Sequence, residues 1–371
     1  MTVKFLGVTT FIFINGISIF FVDIVVGRWF IAKNNRQYYT HAQRLQSYNS
    51  NRVPDSMYHH GFIPNSEAIY HWDSNHAMYP LYVNSLGLVD GKIRTISQDT
   101  SRHRILFLGD SYTEGVGFPY EKTFVGLLED RLNPNLYEVL NGGVQSYSPK
   151  IYLQKTKFLL EYKKIRIDQV IIFLDLSDIH NEFYQYRDFT PATEPNTKYE
   201  KIIERTVLDS IKGFFIDNSI IVNSIYTWTV KKQQDAEYSS HWIPYELDYQ
   251  AWTYDEMQYK TYGKYGLELS SKYLSKLIEL LRTYNINNIV LAVYPWPQQI
   301  KRNDLNSLQV TYWRTFSEKH SITFLNLFPV FFENQLKKNL YLTDDHFNED
   351  GHRLVVDSII NEKIIPIKSQ E

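Results

Sequence analysis

Two short stretches, far apart in the chain, contain residue types suited to nucleophilic catalysis. The first, L-G-D-S-Y-T-E-G-V-G, has Ser111 directly after an apolar run and an aspartate. The second, T-D-D-H, has Asp344 and Asp345 directly before His346. A serine hydroxyl becomes a good nucleophile only when a base lies within hydrogen-bonding reach and an acid orients that base. The chain therefore offers Ser111 as nucleophile, His346 as base, and Asp344 or Asp345 as acid.

Both stretches also have plainer interpretations. The glycines near Ser111 suit a phosphate-binding or purely structural turn, but their spacing fits neither G-x-G-x-x-G nor the Walker A pattern. The G-x-S-x-G elbow is absent as well. The acids around His346 suit capping of a following helix, for which Asn348 or Asp350 suffices. Capping does not require His346, so the nucleophile interpretation is favoured.

The elements that must position these residues follow from an alternation of apolar runs and helical periods. Short apolar runs typical of buried parallel strands alternate with amphipathic stretches, which predicts an α/β protein with three αβα layers around a roughly five-stranded parallel sheet. Ser111 and His346 both follow predicted strands, and the carboxyl ends of parallel strands form the ligand-binding edge of such sheets. The predicted strands are 105–108, 137–141, 169–176, 288–294 and 322–328, and the predicted helices 123–133, 151–162, 264–284, 308–319 and 349–360.

The rest of the chain divides into three further segments. Residues 1–30 are predicted to be a membrane anchor, and residues 31–100 a lead-in of loops and short strands. The main domain is predicted over 101–371, with an aromatic-rich insertion at about 184–262 that breaks the alternation. We expect the insertion beside the ligand-binding edge, where its Tyr and Trp residues suit sugar stacking or a packed lid.

The anchor prediction rests on 18 consecutive residues without a charge, 5–22. That length nearly spans a hydrocarbon core of about 30 Å, and no A-x-A cleavage site follows, so we expect an uncleaved transmembrane helix. Basic residues that follow the run favour a cytoplasmic main domain under the positive-inside rule, although long domains cross regardless of such charges.

Composition excludes several classes of site. The net charge of −2 leaves no basic excess for nucleic acid, so no nucleic-acid partner is expected. The absence of cysteine excludes disulfides, thiolate zinc sites and cysteine nucleophiles. Asp344 and His346 are possible metal ligands, but no third ligand is apparent, so neither a metal nor another cofactor is predicted.

Four motifs in order resemble the blocks of the SGNH, or GDSL-type, serine hydrolase superfamily. The resemblance covers residues 103–183 and 264–362, and N-S-L-G at 84–87 resembles a lead-in of bacterial envelope members. It implies a flavodoxin-like fold with a catalytic domain outside the cytoplasm. The blocks are L-G-D-S-Y at 108–112, N-G-G-V-Q-S-Y-S-P at 141–149, F-L-D-L-S-D-I at 173–179 and D-D-H at 344–346.

The resemblance also implies roles for individual residues. Ser111 is the implied nucleophile, and His346 with Asp344 completes the triad. The implied oxyanion hole consists of the backbone N–H groups of Ser111 and Ser146, with help from Ser177.

Three positions depart from the family pattern. Ser146 stands where the second block usually has glycine, and Ser177 where the third usually has asparagine. Thr343 occupies the usual position of the acid, and the D-x-H variant that remains resembles members that act on envelope polysaccharides. A serine hydroxyl is shorter than an asparagine amide, and losing one oxyanion donor costs roughly 10²–10³ in rate.

The resulting expectation is a serine ester hydrolase of the carboxylesterase or acetylesterase type. It would cleave an acyl ester on a small molecule or, in preference, on an envelope glycan, through an acyl-enzyme. One alternative is an O-acetyltransferase that acts on a cell-surface polysaccharide with the same triad. Another is a catalytically degraded glycan-binding protein that keeps the fold.

Overall fold

The structure is a computed structural model of the 371-residue chain. The chain forms two compact units, one from residues 1–50 and 198–245, the other from 51–197 and 246–371. The residues described are 15–16, 18–27, 51–70, 78–194, 214–215, 218–222, 224–225, 249–335, 337–342 and 345–365.

The larger unit is built on a mixed eight-stranded sheet, with a separate two-stranded hairpin formed by β1 and β2. The sheet has the order β10-β9-β8-β6-β7-β5-β4-β3. The strands are β1 (Arg52–Asp55), β2 (His59–Phe62), β3 (Glu67–Tyr70), β4 (Tyr79–Val83), β5 (Val89–Asp90), β6 (His103–Leu108), β7 (Tyr137–Asn141), β8 (Gln169–Phe173), β9 (Asn288–Val293) and β10 (Thr323–Asn326).

The five predicted strands correspond to β6–β10, and these five are parallel to one another. The predicted five-stranded parallel sheet is therefore only part of the observed sheet, because β3, β4 and β5 from the lead-in extend it with antiparallel pairing. The reason is local: the tight turn at Asn84–Gly87, where Gly87 has φ +71°, reverses the chain between β4 and β5. A reversal so short joins antiparallel strands, whereas parallel strands need a long crossover.

Helices cover the parallel part of the sheet. The longest helix among the described residues buries one apolar stripe, as its leucine spacing predicts: Leu267, Leu274, Leu277 and Leu281. The helices are α1 (Ser111–Glu114), α2 (Phe124–Arg131), α3 (Pro149–Lys157), α4 (Asp178–His180), α5 (Glu256–Gln258), α6 (Lys264–Thr283), α7 (Pro297–Lys301), α8 (Leu308–His320), α9 (Phe328–Gln335) and α10 (Glu349–Asn361).

The insertion is described only in part, since 195–213 and 226–248 lie outside the described residues. Of its large aromatic side chains, Tyr186, Trp252 and Tyr262 are buried in the core of the larger unit. Trp252 donates its indole N–H to the carbonyl of Leu176, 3.2 Å away. These three aromatics therefore pack as core residues and present no open face for sugar stacking.

The predicted anchor lies largely outside the described residues. In the smaller unit, residues 18–27 are helical. No helix among the residues described in this structure is long and apolar enough to cross a bilayer.

Candidate active site

Ser111 is presented on the turn between β6 and α1. Leu108 ends the strand, and Asp110 caps the helix by accepting the amide N–H of Tyr112 at 3.0 Å. A Cβ at Gly109 would overlap the side chain of Thr113, so only glycine allows this close return of the helix. Ser111 is the first residue of α1, a position whose amide N–H has no partner inside the helix.

The structure brings Ser111 and His346 together although 235 residues separate them. Ser111 Oγ lies 2.9 Å from His346 Nε2, within normal hydrogen-bonding distance. His346 belongs to a tight loop closed by the amide N–H of Leu342, which donates to the His346 carbonyl at 2.7 Å. With the proton on Nδ1, the imidazole can accept the Ser111 proton at Nε2.

Tyr112 holds the histidine loop in place, a role that the sequence did not reveal. Its ring stacks on the His346 imidazole with centroids 4.6 Å apart, and its hydroxyl donates to the Asp345 carbonyl at 2.6 Å. Burial raises the pKa of the Tyr112 phenol well above its usual range, so the hydroxyl stays protonated and remains a donor. The residue next to the candidate nucleophile thus positions the candidate base.

The structure describes only one of the two candidate acids, Asp345. Asp344 lies outside the described residues. Asp345 adopts a left-handed backbone conformation with φ +75°, and its carboxylate accepts a hydrogen bond from Gln298 Nε2 at 3.4 Å. Asp344 remains the predicted acid on sequence grounds, with Asp345 as the alternative.

The loop after β7 leaves one amide for a ligand. Within described residues 142–147, every N–H except that of Ser146 has a protein acceptor, and Ser146 has φ +65°. The Ser146 carbonyl is fixed instead, accepting the Tyr186 hydroxyl at 2.6 Å. A free N–H in a loop whose other groups are bonded has the properties of a preformed oxyanion donor.

The same loop is braced by residues from α1 and from the β1–β2 hairpin. The Glu114 carboxylate accepts the Gln145 amide N–H at 2.6 Å and pairs with Arg52 at 2.7 Å in a buried ion pair. His60 Nε2 lies 2.8 Å from the Gln145 carbonyl. Burial lowers the pKa of His60 to about 3, so its ring is neutral, and with the proton on Nε2 it donates to that carbonyl. These contacts fix the backbone on either side of Gln145, directly before Ser146.

In the third block, the structure gives the Ser177 hydroxyl a different acceptor from the one implied. Ser177 Oγ donates to Asp175 Oδ1 at 2.5 Å, and its amide N–H donates to the same oxygen at 2.7 Å. Trp296 Nε1 donates to the other carboxylate oxygen at 2.8 Å. The hydroxyl is thus used inside the protein, and the part of Ser177 in an oxyanion hole stays a prediction that this geometry disfavours.

Three buried carboxyls, one of them adjacent to Ser111 in the chain, form a cluster: Asp110, Asp175 and Asp178 have oxygen atoms within 4.8 Å of one another. A cluster of this kind is able to hold a cation, or to persist with some of its members protonated. Burial, and then the charge of Asp175, raises the pKa of Asp110 well above its usual range. Burial and then Asp110 do the same for Asp178, which accepts the Tyr152 hydroxyl at 2.8 Å. The raised pKa values favour proton binding within this cluster, which reduces the repulsion among its carboxyls.

A comparison with protein-family profiles gives a match over most of the chain. The sequence profile of the GDSL-like lipase/acylhydrolase family matches residues 107–354. No curated protein matches the sequence.

Solved structures match at low identity. They include a lipolytic G-D-S-L family protein from Veillonella parvula (15% identity, TM-score 0.38, 70% of this chain and 97% of that one). A catalytic mutant of an acetylxylan esterase from Geobacillus stearothermophilus also matches (13% identity, TM-score 0.41, 74% of this chain and 100% of that one). A third is an esterase from Pseudoalteromonas sp. inhibited by monoethylphosphonate (14% identity, TM-score 0.38, 70% of this chain and 95% of that one).

Proposed function

Because the chain belongs to the GDSL-like lipase/acylhydrolase family and is an ester-cleaving hydrolase, we propose that Ser111 is its nucleophile and His346 its general base. The observation that carries this proposal is the 2.9 Å hydrogen bond between Ser111 Oγ and His346 Nε2. The substrate that we propose is an acyl ester, preferably an acetyl ester, on a glycan of the bacterial envelope.

The reaction proceeds in two halves. In the first, His346 Nε2 takes the Ser111 proton while Oγ attacks the ester carbonyl and forms a tetrahedral oxyanion. The C–O bond to the alcohol then breaks, and the imidazolium returns the proton to the departing oxygen. In the second half, His346 deprotonates a water molecule that attacks the acyl-enzyme, which releases the acid and restores Ser111.

The amides of Ser111 and Ser146 stabilise the oxyanion. Both N–H groups are fixed before the substrate arrives, so little reorganisation is needed as charge develops. Asp344 orients the imidazole through Nδ1 and stabilises its cation. This assignment rests on the D-x-H spacing in the sequence, which is also what favours an envelope polysaccharide as substrate.

The proposed location is the outer face of a membrane. The charge-free run 5–22 is long enough for a single transmembrane anchor, and the family resemblance favours a catalytic domain outside the cytoplasm. Protease treatment of intact cells and of lysed cells tests this, since an external domain is cleaved in both samples.

Hydrolysis of p-nitrophenyl acetate by the wild type and by Ser111→Ala tests the reaction. We expect turnover that the substitution abolishes. Turnover that survives the substitution would contradict the assignment of Ser111, and no turnover on any acyl ester would favour a glycan-binding protein. Transfer of the acetyl group to an added oligosaccharide, in place of water, would favour an O-acetyltransferase.

A further inference from the structure

The smaller unit pairs the N-terminal apolar helix with a second segment that comes from the insertion. Asp23 is the only charged residue between residues 5 and 27. Its carboxylate accepts the amide N–H groups of Ile220 at 3.1 Å and Ile221 at 3.4 Å, as well as the Ser219 hydroxyl. Asp23 thus satisfies amides at the start of the helical turn at 220–222 from a different part of the chain.

The two segments approach closely. A Cβ on Gly27 would overlap the carbonyl oxygen of Asn218, so the contact depends on the missing side chain. The two segments also meet through aromatic side chains, because the ring centroids of Phe20 and Phe215 lie 5.6 Å apart. Small residues that let backbones meet, next to a polar group satisfied across the interface, are typical of helices that associate in lipid.

The outward surface of this pair is apolar. Among the described residues of the smaller unit, the only carboxylate faces the contact between the segments, whereas large apolar side chains point outward. Polar groups inside and apolar groups outside are the reverse of a water-facing helix pair and suit contact with hydrocarbon. The exposed apolar side chains are Ile19, Phe20, Phe21, Val22, Val25, Val26, Phe214, Ile221 and Ile225.

The sequence adds charge complementarity with a phospholipid surface. Residues 218–230 contain no charge, as in the N-terminal run, and Lys231 and Lys232 follow directly. Arg28 is the first basic residue after the N-terminal run. Basic residues at the end of an apolar segment bind anionic headgroups.

We propose that residues 218–225 of the insertion enter the lipid bilayer beside the N-terminal segment, so that two apolar segments, joined through Asp23, hold the protein on the membrane. The proposal rests on the membrane anchor proposed above and assigns the middle of the insertion to lipid contact instead of glycan contact.

Lipid-depth quenching tests the proposal in the full-length protein. The chain has no cysteine, so Ile221→Cys, Ile225→Cys and Val25→Cys each accept one polarity-sensitive fluorophore. Glu318→Cys, exposed on α8, is the aqueous control. In phosphatidylcholine–phosphatidylglycerol vesicles that carry doxyl-labelled lipid, we expect the labels at 221 and 225 to be quenched at least half as strongly as the label at 25. The label at 318 should be unquenched.

The outcomes are separable. Quenching at 25 alone would overturn the proposal and leave the anchor intact, and absence of quenching at 25 would overturn both. Blue-shifted but unquenched labels at 221 and 225 would show protein contact, for instance with a second copy, and would also overturn it. Ester hydrolysis by the same preparation reports on the proposed reaction independently.

A matched pair of glycine variants tests the contact itself. Gly27→Leu should separate the segments and abolish quenching at 221 while the label at 25 stays quenched. Gly16→Leu should change neither signal, because nothing lies within 4 Å of a Cβ at Gly16. Equal effects of the two variants would contradict the packing of the pair.

Discussion

Replacing Ser177 by alanine separates the two roles open to its hydroxyl. In the structure this hydroxyl is one of three groups that donate to the buried Asp175 carboxylate, beside the Ser177 amide and the Trp296 indole. A hydrogen bond to such a group contributes about 1–3 kcal/mol to stability. The substitution removes one of the three, so we expect the free energy of unfolding to fall by about 1–3 kcal/mol.

The expected effect on turnover is small. If the hydroxyl serves Asp175, kcat/KM should fall by less than about tenfold, whereas loss of an oxyanion donor costs roughly 10²–10³. Ester hydrolysis and urea unfolding of the same Ser177→Ala preparation measure both quantities. Ser177→Thr, which keeps a hydroxyl, is the matched control and should retain most of the stability. A loss of 10² or more in kcat/KM with stability unchanged would refute the assignment of the hydroxyl to Asp175.

Three further predictions concern the triad acid, the loop that carries Ser146, and a buried lysine. Asp344→Asn should lower kcat by about 10²–10⁴, and Asp345→Asn by less than tenfold, because the D-x-H spacing makes Asp344 the predicted acid. The reverse order in steady-state kinetics would exchange the two assignments. Glu114→Gln should lower kcat by about 10- to 100-fold, since a neutral acceptor holds the Gln145 amide less firmly. An unchanged kcat would show that turnover does not depend on this hydrogen bond. Burial lowers the pKa of Lys155 from 10.5 to about 7, so between these pH values the unfolded chain binds more protons and stability rises with pH. Urea unfolding should show the wild type gaining stability relative to Lys155→Met between pH 7 and pH 10, and a constant difference would contradict the buried neutral amine.

The parallel part of the sheet could be predicted because its signals are local. Continuous apolar runs such as those of β6 and β8 form strands buried on both faces, and the helical periods between them require crossovers. The antiparallel extension was missed because β3, β4 and β5 are short and lack continuous apolar runs. Their pairing depends on one turn at Gly87 and on contact with β7, which no local pattern indicates.

Within the site, the sequence predicted a nucleophile and a base but not the residues that support them. Tyr112 stacks on a histidine more than 230 residues away, and Glu114 pairs with Arg52, 62 residues away. Such contacts form only when distant elements meet, so no sequence spacing reveals them. The engagement of Ser177 did have a local signal, because an aspartate two residues before a serine forms an Asx turn with its amide.

Labelling with a fluorophosphonate probe, followed by mass spectrometry of the adduct, tests the central claim most directly. The probe reacts with a serine only where a base activates it, so we expect one adduct, on Ser111. Labelling should be abolished in Ser111→Ala and slowed at least 10²-fold in His346→Gln. An adduct on another residue, or labelling of Ser111 at an unchanged rate in His346→Gln, would contradict a nucleophile activated by this histidine.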